Sequence, residues 1–217
     1  MEKTLERNET SLFKQVLLLV MTALFAAMSC VATMVLVVPS PTGGYMNLGD
    51  AVVLLGAFLL GPVYGAIAGG VGPALADLLA GYTVYVPATL VIKALMGIAA
   101  GLLYKGIGKR WSVAGILACG VVTEAIMVVG YWLYDGFLMG SLAGSAIGIP
   151  SNLVQAVFGI AVATLLTAAL RKVSYVRRLF PNLYSLICDK KLPCGSKCRR
   201  GAVHFRKVKN RPCYQDH

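Results

Sequence analysis

The feature that most constrains this chain is a series of long apolar runs with almost no charge inside them. The first is "QVLLLVMTALFAAMSCVATMVLVV", residues 15–38. Further runs cover 49–60, 62–80, 87–104, 111–134 and 145–170. A helix crossing the hydrocarbon core of a bilayer needs about 20 such residues. Only helices or closed barrels satisfy their backbone polar groups in lipid, and runs of this length read as helices. The charged fraction is 13%, against roughly 25% in soluble domains. A water-soluble core of this size cannot hide so much apolar surface, so the fold class is an all-α integral membrane protein of the cell membrane.

The run 49–60 is short for a span, and the break at Gly61–Pro62 leaves five or six crossings open. The distribution of basic residues selects six. With six helices and a cytoplasmic N-terminus, the inner segments carry Lys3, Arg7, Lys14, Lys105, Lys109 and Arg110, while the outer loops 39–48, 81–86 and 135–144 carry no Lys or Arg. Residues 171–217 hold thirteen Lys/Arg and two acids; residues 1–170 hold seven of each. The net charge of +11 therefore sits in the tail, which suits a cytoplasmic end lying against anionic lipid headgroups better than a nucleic-acid groove. Three segments follow: a cytoplasmic stretch 1–14, a membrane domain 15–170 and a basic tail 171–217, with both termini cytoplasmic. The first run exceeds the 7–15 apolar residues of a signal peptide and reads as a retained span.

Ionisable residues inside the spans are expensive and normally face the bundle interior. Here they are Asp50, Asp77, Lys93, Glu124 and Asp135. Asp77 lies near the outer end of its helix. Lys93 is six residues in from Pro87, roughly 9 Å at 1.5 Å per residue. Asn152 and Gln155 open the last helix at the same side, Glu124 lies near mid-depth, and Tyr82, Tyr85, Tyr131, Trp132 and Tyr134 ring that level. The inner half is plain Ala, Leu, Val and Gly. This asymmetry describes a pocket open to the outside; a channel would be polar throughout its depth. A few convergent polar groups among aromatics suit a small-molecule site. Some of these residues have plainer explanations: Asp77 and Lys93 can pair with each other, Asp50 can cap its helix, and the tyrosines can form an interfacial belt.

Several chemistries find no support. "GK" at Gly108–Lys109 is followed by Arg110, and Leu103 stands where a phosphate-binding loop needs its first glycine. No HExxH occurs, and His204 and His217 lie only in the tail. The tail cysteines Cys188, Cys194, Cys198 and Cys213 do not have the CxxC spacing of a zinc site. We expect no enzymatic activity, no cofactor and no metal.

The stretch "MNLGDAVVLLGAFLLGPVYGAIAGGVGPALADLLAGYTVYVPATLVIKALMGIAAGLL" resembles the substrate-binding S components of energy-coupling factor (ECF) vitamin transporters. It is most similar to the subgroup linked with riboflavin, hydroxymethylpyrimidine or pyridoxine. The pattern Asn47-Leu-Gly-Asp50, Gly61-Pro62, Asp77, Gly81, Pro87-Ala-Thr, Lys93 and Gly97 carries the likeness over roughly residues 15–170; the tail lies outside it. The resemblance implies a six-helix S-component fold that binds a vitamin beneath the outer loop 39–48. It also implies a transmembrane coupling subunit and two ATPases as partners, and a toppling of the S component during transport. An AxxxA motif on the first helix meets the coupling subunit in that family, and Ala23 and Ala27 match it. The expected solute contacts are Tyr45, Asn47, Asp50, Asp77, Tyr85, Lys93, Glu124, Tyr131, Asn152 and Gln155, with loop 39–48 as a lid. Pyridoxine or hydroxymethylpyrimidine is the favoured cargo, with riboflavin or thiamin as alternatives. Other classes are a stand-alone ion-coupled permease with Asp77 or Glu124 as relay, and a membrane scaffold with a lipid-binding tail. Replacing Lys93 or Glu124 by alanine is expected to weaken solute binding and leave the fold intact.

Overall fold

The computed structural model describes residues 2–35, 37–42, 45–108, 112–173, 176 and 180. The tail cysteines and His204 lie outside the described residues, as do Lys109, Arg110, Gly43 and Gly44. The order of elements is α1 (Glu2–Val35), a short hairpin β1 (Val38–Pro39) and β2 (Tyr45–Met46), α2 (Gly49–Leu60), α3 (Pro62–Leu79), α4 (Val86–Leu103), a π-helical turn (Tyr104–Gly108), α5 (Ser112–Met139), α6 (Leu142–Ser145), a 3₁₀ turn (Ala146–Gly148) and α7 (Ile149–Leu170).

Among the described residues, five helical stretches are long and apolar enough to cross a bilayer: Gln15–Val35, Pro62–Leu79, Val86–Ile107, Val113–Met139 and Leu142–Leu170. α2 has 12 residues, about 18 Å at 1.5 Å per residue. It is buried along nearly its whole length. α2 is thus enclosed by its neighbours and presents little surface to lipid. The outward faces of the longer helices are apolar: Leu19, Val20, Val31, Leu75, Leu133, Val157 and Leu165 are exposed. The polar residues Asp50, Asp77, Lys93, Glu124 and Asp135 are buried, as the cost of charge in lipid demands.

Proline and glycine set the boundaries. Gly61 has φ 89° and Pro62 opens α3, so α2 reverses into α3 at a backbone geometry that only glycine adopts readily. Pro87 and Pro150 lie in the first turns of α4 and α7, where a missing N–H is harmless. The expected apolar segments agree with these helices to within a few residues, although α2 is too short to count among the five candidate spans where six were expected, and there are two further differences. α1 begins at Glu2 rather than near residue 15. α5 runs on to Met139 through Asp135, where a loop 135–144 is expected from the sequence. Asp135 continues the helix because its carboxylate turns inward and accepts from Tyr85 Oη at 3.0 Å. The reversal comes at Gly140, with φ 63°.

α3 is the central strut, packing against α1, α2 and α4. Absent side chains let it do so. A Cβ on Gly97 would lie 2.6 Å from the Gly65 carbonyl oxygen, and one on Gly101 would lie 2.5 Å from Pro62 N. A Cβ on Gly65 would in turn lie 2.6 Å from Ala57 Cα. Small residues at such contacts bring helix backbones together in lipid, where dispersion and close approach replace the hydrophobic drive. Two apolar clusters fill the rest. One gathers Phe25, Leu54, Phe58, Tyr104, Ile116 and Ala163. The other, beside the polar interior, gathers Val53, Ile92, Met96, Met127 and Ala156.

Gly97→Ala should therefore force α3 and α4 apart, costing about 1–3 kcal/mol as overpacking does. The expected readout is a clearly lower thermal unfolding temperature in detergent. Gly106→Ala meets nothing within 4 Å and should not lower it. Equal behaviour of the two variants would contradict the close contact.

Candidate functional site

The hairpin between α1 and α2 covers one end of the bundle. Val38 pairs with Met46 and Pro39 with Tyr45. Polar contacts tie this roof to the helices below. Ser40 and Ser151 share a hydroxyl–hydroxyl bond of 2.9 Å. The Asn47 N–H donates to Gln155 Oε1 at 2.8 Å, and Asn47 Oδ1 accepts from the Gly49 N–H at 2.9 Å. Tyr45 Oη donates to Asp77 Oδ1 at 2.5 Å. Tyr85 Oη stands 3.1 Å from the Thr42 carbonyl oxygen and 3.0 Å from Asp135 Oδ1, so its one proton is shared between two acceptors. Burial, and then the neighbouring Asp77, hold the Tyr45 phenol above its ordinary range; burial and then Asp135 do the same for Tyr85. Both hydroxyls thus stay protonated and act as donors at physiological pH.

Beneath the roof is a polar chamber. Its wall takes Thr33 from α1, Pro73 and Asp77 from α3, Thr89 from α4, Tyr131 and Asp135 from α5, and Asn152 and Gln155 from α7; Tyr45, Asn47 and Tyr85 close it from above. Thr89 Oγ1 and Tyr131 Oη are 2.9 Å apart. With the roof in this position the interior free volume is about 30 Å³, room for a water molecule or two. A heterocycle needs the roof to lift or Tyr45 to swing off Asp77.

The floor is a buried charge cluster. Lys93 Nζ forms an ion pair with Asp50 Oδ1, and both residues are fully buried. Gln155 Nε2 donates to the other Asp50 oxygen at 2.5 Å. The Lys93 ammonium also lies 5.6 Å from the centre of the Tyr131 ring, within cation–π reach. Glu124 is 1% exposed, and neither of its oxygens has a hydrogen-bond partner among the described residues. Gly159 makes room for it: a Cβ there would lie 2.9 Å from Glu124 Oε1 and 3.1 Å from Asp50 Cβ.

Of the ten expected contact residues, Tyr45, Asn47, Asp77, Tyr85, Tyr131, Asn152 and Gln155 line the chamber. Asp50, Lys93 and Glu124 lie under it; Gln155 links Asp50, and through it Lys93, to the chamber. The two plainer explanations open for the acids do not hold. Lys93 bonds Asp50 rather than Asp77, and Asp77 takes the Tyr45 hydroxyl instead. Asp50 does not cap α2, whose cap position is Leu48 with no side-chain bond. Its carboxylate points inward to the ammonium, a far stronger partner than a backbone N–H. Alanine at Lys93 would thus act through the fold as well as through any solute. Sequence reasoning omitted Thr33, Ser40, Thr42, Thr89 and Asp135 from the contact set. Asp135 had a signal as an intramembrane acid. A threonine in an apolar helix gives none, because its hydroxyl can bond its own backbone, as Thr22 does to the Leu18 carbonyl at 2.6 Å.

Two other concavities are apolar and open sideways. A groove of about 640 Å³ between α1 and α3 holds Ala23 and Ala27, with Leu19, Val31, Ile67 and Leu75. A second, of about 290 Å³, lies between α5 and α7. Both walls are almost wholly apolar, with Glu124 the one ionisable side chain in the second, and a single acid falls short of the several polar groups that orient a solute.

A family model described as "ECF-type riboflavin transporter, S component" matches residues 14–172. The chain is 31% identical over 137 residues to the Lactococcus lactis protein named thiamine precursor transporter HmpT, covering 62% of this chain and 75% of the relative. It is 40% identical over 131 residues to a Pyrococcus woesei protein described as an uncharacterized protein in the gap 3' region, covering 60% of this chain and 85% of the relative.

The floor generates its own test. Removing one partner of a buried ion pair costs about 3–5 kcal/mol, while replacing both by neutral groups costs far less. Lys93→Met should markedly lower the unfolding temperature in detergent, and Asp50→Asn added to it should restore most of the loss. A single variant as stable as the parent would show that the pair does not hold α2, α4 and α7 together.

Proposed function

The chain belongs to the family of ECF-type riboflavin transporter S components, and on that premise we propose that it captures a single-ring vitamin or vitamin precursor for an ATP-driven importer. It is a multi-pass protein of the cell membrane and a vitamin-transport subunit rather than an enzyme. The observation that carries the solute-binding reading is the chamber: polar groups from five helices and the hairpin converge under one roof. A site desolvated in this way rejects analogues that leave its polar groups unpaired.

Pyridoxine or hydroxymethylpyrimidine is the cargo we favour. The relative named as a thiamine precursor transporter supports a single pyrimidine-type ring, which asks for the smaller opening of the roof. The description of the family model favours riboflavin as the second reading, and that tricyclic ring would demand a wider opening of the roof.

In this reading the roof faces outward and both termini are cytoplasmic. The positions of Lys105, Arg171 and Lys172 at the helix ends remote from the roof support that orientation. The energy comes from a transmembrane coupling subunit with two ATPases. Ala23 and Ala27, exposed in the α1–α3 groove, offer that subunit a close helix contact.

Calorimetric titration of the purified protein with hydroxymethylpyrimidine, pyridoxine, thiamin and riboflavin tests the cargo. A single-ring compound should bind most tightly; tightest binding of riboflavin would establish the second reading, and binding of none would refute solute capture of this class. Ala23→Trp and Ala27→Trp should leave that affinity unchanged and abolish cellular uptake. Uptake at the parental rate would displace the coupling surface from α1.

A further inference from the structure

Resting on the solute-capture reading, we propose that the chamber selects a positively charged or amino-bearing heterocycle and refuses phosphorylated and purely acceptor-rich solutes. The charge of the lining carries this. Among the described residues, the charged side chains that line the chamber are Asp77 and Asp135; no Lys, Arg or His is among them. The nearby ammonium, Lys93, lies in the floor and is held by Asp50. Asp50 is neutralised by that ammonium, so the acidic character of the lining rests on Asp77 and Asp135. Low-dielectric walls focus such a field on the space they enclose.

Asp77 has a specific demand. It is 3% exposed, and its Oδ1 accepts from Tyr45. Its Oδ2 is buried and meets no donor at full hydrogen-bond geometry among the described residues, the Thr89 hydroxyl being a neighbour that falls short of it. A buried acceptor without a partner is costly, and a bond to a charged group is stronger than a neutral one. A ring bearing an amino group next to a protonated ring nitrogen offers two parallel N–H donors. One meets Oδ2, and the other takes the place of the Tyr45 hydroxyl at Oδ1. Tyr45, Tyr85 and Tyr131 contribute aromatic walls, which attract cations through their faces.

An anion finds the opposite setting. The donors at the start of α2 are engaged, since the Gly49 N–H bonds Asn47 and the Asn47 N–H bonds Gln155. The Gln155 amide is given to Asp50. A phosphate ester would face two carboxylates with no base in the lining.

The test uses matched ligands on the full chain in detergent. The probes are 4-amino-5-hydroxymethyl-2-methylpyrimidine, its 4-oxo counterpart and its phosphate monoester, with pyridoxamine set against pyridoxine and its 5'-phosphate. In at least one series the amino compound should bind tenfold or more tighter than its oxygen counterpart, and the phosphate ester should not bind measurably. Asp77→Asn should reduce affinity for the amino compound about ten- to a hundredfold, as loss of a charged hydrogen bond does, and barely change that for the oxygen counterpart. If that variant does not fold, the ligand ranking on the parent protein decides. Equal binding within both series, or preference for the phosphate esters, would overturn the charge selection and leave solute capture standing. Failure of all these compounds, and of thiamin and riboflavin, to bind would overturn both.

Discussion

The ion pair between Lys93 and Asp50 is the interaction on which the other polar contacts of this bundle depend. It joins α4 to α2 inside an apolar interior where neither charge could remain alone. Gln155 extends it to α7 by donating to the second Asp50 oxygen, and then to the roof by accepting from the Asn47 N–H. One chain of contacts therefore runs from the floor of the chamber to its cover. Each member fixes the next: the ammonium orients the carboxylate, the carboxylate orients the amide, and the amide positions the start of the loop before α2. Cooperative networks of this kind are stable when fully satisfied and fragile when cut.

The apolar packing serves the same arrangement. α2 is too short to present much surface to lipid, and its burial lets Asp50 sit at the middle of the polar network rather than at an edge. The close approach of α3 to α2 at Gly65, and of α4 to α3 at Gly97 and Gly101, brings Asp77, Thr89 and Lys93 into one region. The small-residue faces and the charge cluster thus explain one another. Without close backbones the cluster would be wet or unpaired; without the cluster, nothing would specify how the featureless helices rotate about their axes.

The sequence disclosed much of this and concealed a definable part. The apolar runs located the helices, and the cost of charge in lipid placed Asp50, Asp77, Lys93 and Glu124 inside. The position of Asn152 and Gln155 at the start of the last helix placed them at the roofed end. Partner choice stayed hidden. Asp77 and Lys93 are close in sequence and opposite in charge, yet they sit on helices turned so that Lys93 meets Asp50. Helices apolar on every side carry little periodicity, so their rotation is set by packing alone. The extension of α5 past Asp135 was hidden for a related reason: an acid reads as a loop residue until its partner, Tyr85, is known. Threonines at positions 33 and 89 gave no signal, because a hydroxyl in a membrane helix can satisfy itself locally.

The central claim is that solute binds beneath the hairpin, above the Lys93–Asp50 pair. An experimental structure of the protein with its tightest ligand tests this most directly. The account predicts ligand density bounded by Tyr45, Asp77, Tyr131 and Gln155, with the Lys93–Asp50 contact intact below it and the Tyr45–Asp77 contact opened. Density in the groove between α1 and α3 or between α5 and α7, with the polar chamber still closed at about 30 Å³, would contradict it.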